Sequence, residues 1–175
     1  MEIDNLCRRN ARSGKTTFCK KLAELTGFVH RTASEVISEE SKSAGFGNLK
    51  VSSRLNDNQN RLVAWVERNR DSGDILLDGH FALLDSNRQV YGVELDVFRI
   101  IRPAGLICIN ASVGLVLDRL EKRDGVVWPA ELVENMLNSE RNLAVATASG
   151  LGVPLVILSG DSIPSAVKFV NNLME

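Results

Sequence analysis

Ser13-Gly14-Lys15-Thr16-Thr17 opens an amphipathic stretch that reaches Leu25, and it decides how the rest of the chain is read. It matches the second half of the pattern G-x-x-x-x-G-K-[ST], a glycine loop leading into a helix start. Each residue type has a physical task there. Gly14 lets the backbone approach an anion closely, and the N–H groups of Gly14, Lys15 and Thr16 point outward from the positive end of the helix. Lys15 would neutralise phosphate charge, and the Thr16 hydroxyl would complete the coordination of Mg²⁺.

The first half of the pattern is missing. The position five before Gly14, where the motif has glycine, is Arg9. The run before it is poor in apolar residues, offering Ile3, Leu6 and Cys7 among Glu2, Asp4, Asn5 and Arg8. A strand feeding such a loop from mid-sheet should read as a continuous apolar run. The first strand is therefore expected to be short and distorted, or residues 1–12 are not the start that the rest of the chain expects.

Further along, short apolar runs alternate with helical patterns. The runs are Gly27-Phe28-Val29-His30, Asp74 to Asp78, Gly105 to Ile109 and Val153 to Leu158. Between them the spacing predicts helices over Lys15–Leu25, Ala33–Ser43, Asn58–Asp71, Ser112–Lys122, Pro129–Ser149 and Ser162–Leu173. Ser112 and Ser162 read as N-caps, Pro129 as a first-turn residue, and Gly27, Gly73 and Gly150 as stops. Repeated strand then helix predicts an α/β domain whose parallel sheet is covered by helices on both faces. Ligands of such sheets sit beyond the carboxyl ends of the strands. Asp78 ends one of those strands, where a carboxylate would hold Mg²⁺ through water.

The 175 residues, 44% hydrophobic, suffice for one domain and argue against a second. The 21 basic and 22 acidic residues give a net charge of −1, which removes the global basic field that nucleic-acid binding calls for. Three scattered cysteines, Cys7, Cys19 and Cys108, lack the spacing of a zinc or dithiol motif and fit a reduced, cytoplasmic protein. No apolar stretch is long enough for a membrane span, and the polar start is unlike a secretory signal.

The order of these residues resembles the P-loop nucleoside and nucleotide kinases. The nearest group is adenylate kinase-like: the small archaeal-type adenylate kinases and the bacterial ATP-binding proteins related to them. The resemblance runs from about Ser13 to the end of the chain. It rests on Gly14-Lys15-Thr16-Thr17, the segment Arg31-Thr32-Ala33-Ser34-Glu35-Val36-Ile37, the strand ending Leu77-Asp78-Gly79-His80, and Asp118-Arg119-Leu120-Glu121-Lys122-Arg123-Asp124. It implies a three-layer P-loop NTPase fold with a five-stranded parallel sheet, helices on both faces, an acceptor arm over 33–72 and a short lid over 122–130. It further implies transfer of the γ-phosphoryl group of Mg-ATP to a nucleoside monophosphate, with ATP and Mg²⁺ as cofactors.

Carried over residue by residue, the resemblance has Ala11, Arg12, Ser13, Gly14, Lys15, Thr16 and Thr17 cradling the phosphates. Arg119 would stack near adenine, and Arg123 and Arg141 would close over the transferred group, where a permanently charged donor fork suits developing oxygen charge. Lys15, Asp78 and these three arginines form the expected catalytic set, with Thr16 and Asp78 (the latter through water) at the metal.

On the acceptor side the residues are Ser34, Arg54, Gln59 and His80. Asn60 would join Gln59 in reading a base edge, and Arg88 is a second phosphate candidate. His30 and Trp65 read as packed residues, and Trp128 marks the lid hinge. Two alternatives share the ATP side: a kinase of a nucleoside or sugar, and an ATP-binding module whose phosphate loop is impaired by Arg9. The acceptor stays open, and a monomer is favoured.

Overall fold

β1 (Val29–Thr32) and β2 (Ile75–Asp78) run parallel, with Thr32 opposite Asp78 at their carboxyl ends. A second parallel pair joins β5 (Leu106–Asn110) to β6 (Leu155–Ser159). The computed structural model describes residues 14–42, 56–85, 87–125 and 127–175, and omits the side chains of residues 123 and 124.

The layering follows from strand alternation. Ile75 and Leu77 of β2 pack on one face against Val36, Leu62, Trp65 and Val97. Those four come from α2 (Ala33–Lys42), α3 (Asp57–Arg68) and α4 (Leu95–Ile101). Leu76 points the other way, into a cluster with Phe18 and Leu22 of α1 (Lys15–Thr26) and Ala166 and Val170 of α7 (Ile163–Met174). Ile107, Ile109 and Leu158 enter that same cluster. A single core under α1 therefore spans both parallel pairs. On the opposite side of β5, Leu106 and Cys108 are buried, and α6 (Ala130–Leu151) packs there. α5 (Val113–Asp124) lies against α6.

The α/β character and the helical cover on both faces are as expected. The described residues form two parallel pairs and an antiparallel hairpin, β3 (Ala82–Leu84) with β4 (Val90–Gly92). The expected first strand lies outside the described residues. The hairpin turn is fixed by Asp85, whose carboxylate accepts the Asn87 and Gln89 amides at 2.8 Å each.

Helix ends account for several boundaries. Ser112 caps α5 through the Leu115 amide. Thr32 and Glu35 close a capping box on α2, each side chain accepting the other's backbone N–H at 3.2 Å. Ser162 stands at the start of α7, yet its hydroxyl pairs with Ser159 rather than capping. Gly150 does not stop α6; the helix ends at Gly152, in the left-handed region at φ 68°. The reason is packing. A Cβ on Gly150 would lie 3.0 Å from Leu95 Cδ2, so glycine lets the Leu95 side chain pack closely where α4 meets α6.

Candidate functional site

The site lies where α1 begins and β1 and β2 end. Gly14 precedes the helix at φ 85°, and among the described residues no side chain caps this helix start or places an acid in its first turn. The first-turn N–H groups have no intrahelical partner, so this end of the helix suits an anion. Lys15, the first residue of α1, donates to the Gly79 carbonyl and lies 3.1 Å from Asp78 Oδ1. Thr16 donates its hydroxyl to Asp78 Oδ2 at 2.9 Å. The Asp78 side chain is only 3% exposed, so this carboxylate is charge-paired and hydrogen-bonded away from bulk water.

Arg119 comes to the same place from α5. A Cβ added to Gly14 would meet Arg119 Nη1 at 2.8 Å, so the guanidinium occupies the space that a larger residue would fill. Glycine is favoured here by its backbone angle, and a larger residue would also have to displace the end of the Arg119 side chain.

Beyond β2 the chain turns through Gly79 and His80. His80 Nδ1 lies 3.3 Å from Glu140 Oε1 of α6, and Glu140 Oε2 accepts the Phe81 and Ala82 amides at 3.0 and 2.6 Å. Burial pushes the Glu140 carboxyl up. The His80 hydrogen bond, the charges of His80 and Lys15 and the Ala82 amide outweigh it, and the net shift is downward. Glu140 thus anchors the segment leaving Asp78 and orients the His80 ring.

Of the residues expected from sequence, Gly14, Lys15, Thr16, Asp78 and Arg119 converge at one point, with His80 one turn of chain away. Ala11, Arg12, Ser13 and Arg54 lie outside the described residues, as does the Arg123 side chain. Thr17 is exposed in the first turn of α1. Ser34 lies exposed at the start of α2, its hydroxyl 3.2 Å from that of Thr32. Arg141 is exposed on α6, with its charge felt at the Cys108 thiol.

Gln59 has another task. It is buried, and its side chain accepts the Asn56 amide at 3.4 Å while its own amide donates to Asn56 Oδ1, a capping box for α3. Trp65 is core, as expected, and Arg31 stacks on it at 5.1 Å. Arg88, in the hairpin turn, lies over Trp128 at 5.6 Å.

Glu140 escaped the sequence reading, yet a signal existed. The buried residues Val133, Ala144, Thr147 and Ala148 form a helical stripe, and Glu140 falls on it, seven after Val133 and four before Ala144.

Among the described residues no helix is long and apolar enough to cross a membrane. No functionally curated protein matches the chain. The crystal structure of a gluconokinase from Sinorhizobium meliloti 1021 is similar at 16% sequence identity and a TM-score of 0.49, covering 93% of this chain and 85% of that one. A family profile described as an AAA domain matches residues 12–131, a span that holds Gly14, Lys15, Thr16, Asp78 and Arg119. The chain therefore belongs to this AAA-domain family.

Proposed function

We propose that the protein is an ATP-dependent phosphotransferase that moves the γ-phosphoryl group to a nucleoside monophosphate. The observation that carries this reading is the meeting of Lys15, Thr16 and Asp78 where the start of α1 faces a strand end.

The Thr16 hydroxyl and the Asp78 carboxylate are hard oxygen donors that already share a hydrogen bond, and they fit Mg²⁺. They would hold it, Asp78 through water. The ion they hold would supply neutralising charge for the phosphates. The chain's own residues do the rest. Lys15 exchanges Asp78 and Gly79 for phosphate oxygens, and the first-turn amides of α1 fix the phosphates in place. Arg119, against Gly14, brings a planar donor fork to the nucleotide, and Arg123 and Arg141 would add charge as the lid over 122–130 closes. His80, held by Glu140, would position the acceptor beyond Asp78, with Ser34 and Arg54 on the arm. A strong base is not required, because an acceptor phosphate is already ionised and the transition state is loose.

A second reading, a kinase of a small acceptor without a base, is favoured by one observation. Gln59 is spent on the α3 cap, which removes a candidate for reading a base edge. The test is turnover with Mg-ATP against nucleoside monophosphates, nucleosides and sugar acids, with Lys15→Ala as control. ADP release that depends on a monophosphate supports the first reading. Release with a sugar acid alone transfers support to the second, whereas release with a nucleoside alone, or no acceptor-dependent release by the wild type, defeats both.

A further inference from the structure

Behind the face of Asp78 that meets Lys15, three different donors converge from three elements. Cys19 comes from α1, one helical turn beyond Lys15, His30 from β1 and Asp78 from β2. Their ligand atoms all lie within 4.8 Å of one another. His30 Nε2 is shut off from solvent and has no hydrogen-bond partner among the described residues, and Asp78 Oδ2 lies 3.7 Å away. A buried ring nitrogen without a partner calls for a reason.

The geometry points to a transition-metal site in which Cys19 Sγ, His30 Nε2 and Asp78 Oδ2 bind one Zn²⁺ with its fourth position open. A set of one sulfur, one imidazole nitrogen and one carboxylate oxygen suits a borderline ion, whereas Mg²⁺ prefers oxygen alone. Tetrahedral Zn²⁺ with bonds of roughly 2.0–2.3 Å sets its ligand atoms about 3.5 Å apart. The His30–Asp78 separation is already near that, and the widest of the three must close by about 1 Å, within reach of side-chain rotation.

Lys15 does not block the site, because its ammonium faces Oδ1 and the ion would use Oδ2. Binding costs the Thr16–Asp78 hydrogen bond, which uses that same oxygen. The Cys19 S–H bond breaks, a sulfur–metal bond forms, and the proton passes to the buffer. If the phosphotransferase reading holds, on which this consequence rests, Zn²⁺ here withdraws Asp78 from Thr16 and inhibits turnover.

The test titrates the reduced, metal-free full chain with Co²⁺ and follows thiolate-to-metal charge-transfer absorption, with Zn²⁺ competing. One ion per chain is expected. The band should vanish in Cys19→Ser and in Cys19→Ala, bind at least tenfold more weakly in His30→Gln, and persist in Cys7→Ser and Cys108→Ser. Circular dichroism confirms that each variant is folded, and the two substitutions at Cys19 guard against loss of either one. No band in the wild type, or a band that survives at full affinity in a folded Cys19 variant, overturns the site. Absence of ATP turnover would defeat the phosphotransferase reading and leave the Co²⁺ result standing. Zn²⁺ inhibition that Cys19→Ser relieves would support the link between them.

Discussion

Lys15 Nζ stands 3.1 Å from Asp78 Oδ1, so the cation at the start of α1 is held by the carboxylate that ends β2. The two side chains are only 13% and 3% exposed, which makes the pair interdependent. Removing one partner from a buried pair costs about 3–5 kcal/mol, while replacing both is far less costly. Lys15→Met is therefore expected to lose roughly 3 kcal/mol in urea unfolding, with Asp78→Asn alone losing a similar amount. The double variant should recover much of this stability and none of the turnover. Additive losses in this cycle would show that the pair is not coupled.

Gly14 and Arg119 form a second coupled pair. Gly14→Ala must hold a left-handed backbone and push Arg119 Nη1 aside, so a loss of about 1–2 kcal/mol is expected, with weaker ATP binding. In an Arg119→Ala background the steric part disappears and the loss on adding Gly14→Ala should shrink. Equal losses in both backgrounds would mean that the guanidinium does not lie there.

Glu140 sets a pH dependence. Its carboxyl is held below the ordinary glutamate value of 4.5 in the folded chain, so the unfolded chain takes up the proton first as pH falls. The stability it contributes is present above about 4.5 and is lost as pH drops through the folded value. Urea midpoints measured from pH 7 to pH 3.5 should fall more steeply for the wild type than for Glu140→Gln. At pH 7 the variant should be less stable by about 1–3 kcal/mol, since the Phe81 and Ala82 amides and His80 lose a charged acceptor. Parallel acid slopes would remove this role.

Much of this was legible in the residues. Asp78 was found because an apolar run ends on it, and Lys15 and Thr16 because their spacing after Gly14 is that of a loop-to-helix junction. β2, β5 and β6 are visible because each contains an apolar run between amphipathic stretches, whereas β1, Val-His-Arg-Thr, is mostly polar and runs two residues past the expected stretch. β3 and β4 are three residues each, too short for any period to show. α4 has seven residues and precedes Pro103, so it too left no clear helical repeat. The capping role of Gln59 is hidden in the sequence because a capping box and a base-reading amide look identical until Asn56 is seen facing it. Gly150 reads as a stop because a close helix contact favours the same residue as a helix stop.

The most direct test follows the γ-phosphoryl group itself. ATP labelled at that position is incubated with Mg²⁺ and AMP, and transfer to AMP is separated from transfer to water, for the wild type, Lys15→Ala and Asp78→Asn. The account predicts AMP-dependent transfer by the wild type and a fall of at least a hundredfold in both variants. Transfer that survives in Lys15→Ala, or label that the wild type passes only to water at a rate indifferent to acceptor, would contradict it.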